Sequence, residues 1–144
     1  MKKKTIAVLV LVFTMVFMTA CGGGSGSSSG NSIAGNTYVS SSGEIMGEEL
    51  AGFAGTRSFT FNEDGTYVMV QEAYEYSDAF TLNGEYEQKG STVLVKADPS
   101  HPDAGDATFQ IDGDTLVDEG SETYPDENGE DFEVTWKYIY TKAN

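Results

Sequence analysis

The chain has one cysteine, Cys21, and one histidine, His101. A lone cysteine can close no disulfide within the chain. A single histidine leaves little scope for His-based acid–base pairs and cannot complete a zinc set such as His₂Glu. Basic residues are also scarce, with eight Lys and Arg against 23 Asp and Glu and a formal net charge of −15. Three of the eight are Lys2, Lys3 and Lys4, so beyond them five basic residues face 23 acidic ones and the balance is −18. Nucleic acid and anionic lipid surfaces are recognised by clustered Lys and Arg, so this composition excludes both as partners. There is no Gly-rich phosphate loop and no cofactor motif. Paired carboxylates abound in so acidic a chain and therefore single out no catalytic pair. A Ser/His/Asp triad would need His101, in a loop of turn formers, to meet an unmarked serine. The expectation is a non-enzymatic protein without a cofactor.

What is present begins at the N-terminus. Lys2, Lys3 and Lys4 precede an almost unbroken apolar run from Ile6 to Met18, and Thr19 and Ala20 lead into Cys21. A basic start, a short apolar stretch and small residues form the pattern of a cleaved signal peptide. The stretch is shorter than the roughly 20 residues of a membrane span. Met18-Thr19-Ala20-Cys21 resembles the lipobox of bacterial prolipoproteins, Leu-(Ala/Ser/Thr)-(Ala/Gly)-Cys, with Met in place of Leu. The resemblance implies a diacylglyceryl group on Cys21, removal of residues 1–20, and a protein held on the extracytoplasmic face of the cell membrane. Two acyl chains suffice for stable anchoring. Residues 21–32, dominated by Gly22-Gly23-Gly24-Ser25-Gly26-Ser27-Ser28-Ser29-Gly30, then read as a flexible tether of roughly 20 Å root-mean-square reach.

Residues 33–144 are one small domain by length. Alternation with period two marks strands with one buried face. Phe59 and Phe61 alternate with Ser58 and Thr60. Phe80, Leu82, Gly84 and Tyr86 alternate with Thr81, Asn83, Glu85 and Glu87. Ala107, Phe109 and Ile111 alternate with Thr108 and Gln110. In the last strand Val134, Trp136, Tyr138 and Tyr140 share one face, which places Trp136 in the core. Tyr67 to Val70 is apolar on both faces and is expected to be covered on both sides. About eight strands are predicted, near 36–41, 56–62, 66–72, 79–87, 91–97, 106–111, 114–119 and 133–141, with a ninth through 120–124. Asp64-Gly65, Lys89-Gly90, Asp112-Gly113 and Asn128-Gly129 punctuate them as hairpin turns, for which a type I′ geometry supplies the positive φ that Gly accepts. Successive hairpins make an antiparallel meander. Between the first two strands, Ile45, Met46, Leu50, Ala51 and Phe53 lie at near-helical spacing, which predicts a short helix plugging an open end of the sheet. Gly47 and Gly52 weaken a helix and leave an irregular lid as the alternative.

An opening strand around Tyr38, a short helix, Asp-Gly hairpins and a closing aromatic strand resemble the lipocalin-like small barrels of bacterial lipoproteins. The resemblance implies an all-β, roughly eight-stranded antiparallel barrel and a monomer. An eight-stranded barrel either fills with side chains or holds one small ligand. Phe59, Phe61, Tyr67, Phe80, Tyr86, Phe109, Trp136 and Tyr138 are the candidates either to make its core or to line a site for a small apolar ligand.

Metal ligation has two weaker candidates. Asp98, His101 and Asp103 share one loop, and imidazole and carboxylate are both suitable ligands. A proline-bent turn accounts for the same residues. Asp112, Asp114, Asp118, Glu119, Glu122, Asp126, Glu127, Glu130, Asp131 and Glu133 include no basic residue and could supply calcium with its six to eight oxygens. Solvated hairpin tips explain the run without an ion, and it does not match an EF-hand loop. The leading expectation is a lipid-anchored envelope interaction or accessory protein that meets an unknown protein. The alternative is a barrel binding a small apolar molecule, followed by an acidic calcium-binding module.

Overall fold

In the computed structural model, residues 31–144 are described. The expectations for residues 1–30, namely the signal peptide, Cys21 and most of the tether, lie outside the described residues. Nine strands follow one another: β1 (Thr37–Ile45), β2 (Glu48–Glu49), β3 (Arg57–Phe61), β4 (Thr66–Gln71), β5 (Phe80–Lys89), β6 (Thr92–Val95), β7 (Ala107–Asp112), β8 (Thr115–Pro125) and β9 (Asp131–Lys142). All pairings are antiparallel. From β3 to β8 each strand pairs with the next in sequence, β1 pairs with β3, and β1 also pairs with β9 from Tyr38↔Lys142 to Ile45↔Trp136. That last pairing closes β1 and β3–β9 into an eight-stranded barrel, with β2 as a short appendage on the end of β1.

The period-two faces fold as their alternation requires. Phe59, Phe61, Tyr67, Met69, Leu82, Val93, Val95, Phe109, Leu116 and Tyr140 are buried in one cluster with Tyr38, Phe53 and Ile33. Their rings interlock: Phe59 stands edge-on to Phe109 (5.0 Å) and to Tyr140 (5.2 Å), and Phe61 edge-on to Tyr86 (4.9 Å). Edge-to-face pairs of this kind add about 0.5–1.5 kcal/mol each beyond the area they bury.

Four expectations are corrected. The short helix after the first strand does not form, and among the described residues the helical structure is a single 3-10 turn at Pro102–Ala104. Instead β1 runs through Ile45 and reverses at Met46-Gly47, both with positive φ (53° and 76°), as a type I′ turn demands. Gly52 and Gly55 are also left-handed, which breaks any helix there. The segment is an irregular lid that delivers Phe53, fully buried, into the barrel end. Second, the strand near 114–119 and the separate ninth strand are one continuous β8, paired with β9 from Thr115↔Thr141 to Pro125↔Asp131. Third, β4 is covered on one side only: Tyr67, Met69 and Gln71 are buried, while Val70 is 39% exposed. Fourth, Trp136 is half-buried, because it lies where β9 passes the end of β1.

The hairpins fall where the glycines predict, but none of the four is type I′. Residues 62–65 and 126–130 are longer loops with positive φ at the glycine alone, and the other two are two-residue turns. Lys89 pairs with Thr92 and Asp112 with Thr115, so the central residues are Gly90-Ser91 and Gly113-Asp114. Only the glycine of each pair has positive φ, the mark of type II′. These tight turns, together with residues 62–65 between β3 and β4, gather at one end of the barrel, here the turn end. The longer connections, 46–56, 72–79 and 96–106, and the projecting β8–β9 ribbon gather at the other, the loop end. Ile33 is buried at the turn end, its amide held by Gln88 Oε1 (3.1 Å), and Gln88 Nε2 donates to the Asn31 carbonyl (3.1 Å).

Candidate functional site

The loop end holds the polar groups that the barrel interior otherwise avoids. Arg57 lies on the inward face of β3 by the parity of Phe59 and Phe61. Across the sheet it pairs with Gln71 of β4, which pairs with Phe80 of β5. Directly opposed residues share a face, so Arg57, Gln71 and Phe80 form one inward row. Gln71 is fully buried and spends its amide nitrogen on the carbonyls of Thr56 and Glu72. Its oxygen accepts from Arg57 Nε at 2.7 Å, and Arg57 Nη1 donates to the Tyr140 hydroxyl at 3.3 Å. The backbone of Arg57 is pinned as well, donating to Ser40 Oγ (3.1 Å), which donates in turn to the Phe53 carbonyl (2.8 Å).

The guanidinium carbon lies 5.1 Å from the Phe53 ring centre and 5.5 Å from that of Tyr138, both in cation–π range. Phe53 also touches Tyr74 (5.9 Å) and Tyr138 (5.2 Å). Gly43 makes room for this arrangement, since a Cβ there would come within 2.6 Å of Phe53 and 3.0 Å of Tyr138. Asp118, on the inward face of β8, is buried and accepts from Trp136 Nε1 at 3.2 Å. Burial pushes its carboxyl up to about 6, while the Trp136 bond and the Arg57 charge pull the other way. Burial likewise pushes the Tyr138 hydroxyl up to about 12 and raises that of Tyr140. Both are therefore neutral at physiological pH.

The groups left without protein partners set the chemistry. Of the five N–H donors of a guanidinium, Arg57 commits two, to Gln71 and Tyr140. No carboxylate lies within ion-pair distance of it among the described residues, although Lys89, Lys96 and Lys137 each pair with one on the surface. Asp118 Oδ2 and the hydroxyls of Tyr74 and Tyr138 are likewise uncommitted. Buried side-chain nitrogens and oxygens are all partnered among the described residues, so these free groups reach solvent. Beside them the chain from Tyr74 to Phe80 bounds a cleft of about 510 Å³, with Tyr76 40% and Phe80 41% exposed. Tyr74 lines the cleft and touches Phe53, whose ring centre lies 5.1 Å from the Arg57 guanidinium carbon.

No family model matches the chain, and no curated protein matches it. Among solved structures it is similar to a lipocalin-like protein from Bacteroides uniformis at 15% identity and a TM-score of 0.49, over 77% of this chain and 98% of that one. It is also similar to an uncharacterized protein from Bacteroides eggerthii at 12% identity and a TM-score of 0.48, over 78% and 100%. The closed barrel described above rests on its own strand pairing.

The residues expected to line the barrel divide between its two ends. Phe59, Phe61, Tyr67, Tyr86 and Phe109 interlock in the core, and the Tyr67 hydroxyl is spent on the Lys96 carbonyl at 2.8 Å. Tyr138 and Phe80 belong to the loop end, and Trp136 lies over Gly120, where a Cβ would meet the indole at 2.5 Å. Arg57, Gln71, Phe53, Tyr74 and Asp118 were not among the expected lining. Their signal was present in part, because Arg57 is the one arginine of the chain and occupies an inward-parity position.

The loop of Asp98, His101 and Asp103 is built differently. Asp98 is buried and accepts from the backbone N–H groups of Asn83 (2.9 Å) and Ser100 (2.7 Å), which hold its carboxyl below the usual range. His101 Nδ1 is 3.5 Å from it, and Asp103 sits on the exposed 3-10 turn. Among the described residues no three His, Cys, Asp or Glu side chains converge on a metal position. Within the acidic run, Asp126 accepts from the N–H groups of Asn128 and Glu130 (both 2.8 Å), and these bonds define the ribbon tip.

Proposed function

We propose that this is a lipid-anchored, extracytoplasmic binding protein that takes a small molecule at the loop end of its barrel and performs no catalysis. The observation that carries the reading is the cluster of uncommitted polar groups beside the aromatic cleft. A barrel built only as a structural unit gains nothing by leaving a guanidinium unpaired amid 23 carboxylates. Small-molecule sites combine apolar walls with a few convergent polar groups, and the loop end offers that combination. The lipobox reading of Cys21 fits the same picture. The tether enters beside Ile33 at the turn end, so an anchored barrel would present its loop end away from the membrane.

Two measurements test this. Cys21→Ser should move the protein from the membrane fraction to the soluble or precursor pool, and membrane-bound mutant protein would remove the anchor. Titration of the native protein with a neutral and an anionic environment-sensitive aromatic dye should give saturable binding of at least one, near one site per molecule. Phe80→Glu at the cleft should abolish it. A site that stabilises only the native state also raises the unfolding midpoint by mass action. Non-saturating binding of both dyes would defeat the reading.

A second reading, an envelope interaction protein, draws on the β8–β9 ribbon. From residue 121 to 135 its two strands pair with each other, and with the turn at their tip they carry six acidic residues and no basic one. Near its tip Phe132 is 42% exposed and packs on Tyr124 at 6.2 Å.

A further inference from the structure

We propose that the ligand of the loop end is an organic carboxylate, its anionic head on the free edge of Arg57 and its apolar body along Tyr74 and Phe80. The inference rests on the reading that this end takes a small molecule, and it names the class. Three features of the pocket lead to it.

The first is what Arg57 has left to give. The rings of Phe53 and Tyr138 stack near its guanidinium, and Gln71 and Tyr140 take Nε and one Nη1 proton. What remains is Nη2 and the other Nη1 proton, the paired terminal donors that fit the two oxygens of a carboxylate. The group is held from four sides, so the entropy cost of ordering a long side chain is already met before a ligand arrives. A flexible surface lysine would not be prepared in this way.

The second is the absence of an internal anion. The chain supplies 23 carboxylates and one arginine, yet the nearest inward carboxylate, Asp118, is engaged by the Trp136 indole and lies beyond ion-pair distance of Arg57. The remaining N–H groups of Arg57 reach solvent and have no anion beside them among the described residues. An arriving carboxylate would exchange those water contacts for charge-assisted hydrogen bonds, which a neutral ligand of the same shape could not do.

The third is the distance to an apolar surface. Phe80 stands two strands from Arg57 in the same inward row, roughly 10 Å at the usual strand spacing. Its ring is exposed on an inward-facing position, and Tyr74 lines the same cleft while lying close enough to Arg57 to feel its charge. A fused-ring or short alkyl carboxylate spans that distance. The protein's overall negative charge opposes approach from afar, but at physiological salt this repulsion is screened beyond about 8 Å.

Bound, the ligand would place a second negative charge near Asp118. The groups facing Asp118 are Arg57 from β3 and Trp136, Tyr138 and Tyr140 from β9. Only Arg57 among them is charged at neutral pH, and the ligand would occupy it. Asp118 should then take up a proton, and binding should tighten as the pH falls from 8 to 5.5.

The experiment is calorimetric titration of the full-length protein with 2-naphthoate and with its neutral isostere 2-naphthamide. Naphthoate should bind at least about tenfold more tightly, with proton uptake that Asp118→Asn removes. Arg57→Gln should erase the preference while naphthamide binding persists. If Arg57→Gln does not fold, Arg57→Lys keeps the charge but loses the planar fork, and it should weaken naphthoate about tenfold without changing naphthamide. Equal binding of the two compounds, or a preference untouched by the Arg57 substitutions, overturns the carboxylate inference and leaves small-molecule binding standing. Failure of both compounds to bind overturns both.

Discussion

The two ends of this barrel are built on opposite principles. At the turn end, strands are joined by two- and four-residue turns, and the space between them is filled by Phe59, Phe61, Phe109, Leu116 and Val93 in mutual contact. At the loop end the same strands carry Arg57, Gln71, Asp118 and Tyr138 inward, and an irregular lid supplies Phe53 to cover them. One end minimises its energy by packing. The other retains a buried acid, which costs stability when drawn from water, beside a guanidinium and hydroxyls whose free donors reach solvent. The contrast separates an end whose interior is settled by packing from an end that keeps polar groups in reserve.

The sharpest way to probe the contrast is to damage each end separately. Phe59→Ala removes the ring at the centre of the packed end and should cost about 3–5 kcal/mol, read as a lower urea midpoint with unchanged slope. A cost below about 1 kcal/mol would mean that the packed end tolerates cavities and that the two ends are alike.

Asp118 gives the next largest effect, with a direction that identifies it. Its folded carboxyl titrates at about 6 against an ordinary 3.8. Between these values the native state holds a proton that the unfolded state has released, so the contribution of Asp118 to stability falls as pH rises from 4 to 6. Asp118→Asn should therefore flatten that fall and leave the protein more stable above pH 7, by up to about 3 kcal/mol. Urea midpoints of both proteins from pH 4 to 7.5 decide it, and the difference between them cancels carboxylates such as Asp98 that shift the other way. Parallel curves would place Asp118 in water.

Gly43→Ala should have the smallest effect on stability, about 1–3 kcal/mol. Its Cβ would press on Phe53 and Tyr138 and spread the rings that hold Arg57. The informative readout is local: Phe53 and Tyr138 ring resonances should shift while those of Phe61 and Phe109 stay in place. Shifts throughout the core would show that the two ends are mechanically one.

Much of the turn end was legible in the amino-acid sequence, because alternation such as Ser58-Phe59-Thr60-Phe61 admits one reading and the glycines at 65, 90 and 113 admit a reversal. The loop end was not. Ile45, Met46, Leu50, Ala51 and Phe53 imitate helical spacing, and only the left-handed backbone at Met46, Gly47, Gly52 and Gly55 distinguishes a lid from a helix. Trp136 shares its parity with Tyr140 and so reads as core, but burial also depends on where the neighbouring strand stops, which alternation does not encode. Arg57 was hidden for a related reason. Parity placed it inward, but its importance comes from standing beside Gln71 and Phe80, residues distant in sequence that only strand register unites.

The pairing of the first strand with the last has a consequence in time. A chain synthesised from its N-terminus has β1 in hand about a hundred residues before β9 exists to join it, and contacts so distant in sequence form late. Until then β1 can pair only with β2 and β3, and the edge that β9 will take is an open template for stray strands. The closing step waits for Trp136 to Lys142, residues that also complete the edge of β8. Loss of those seven residues would strand two edges at once. A barrel truncated there should aggregate rather than persist as a smaller sheet, which makes the C-terminal strand the latch of the whole fold.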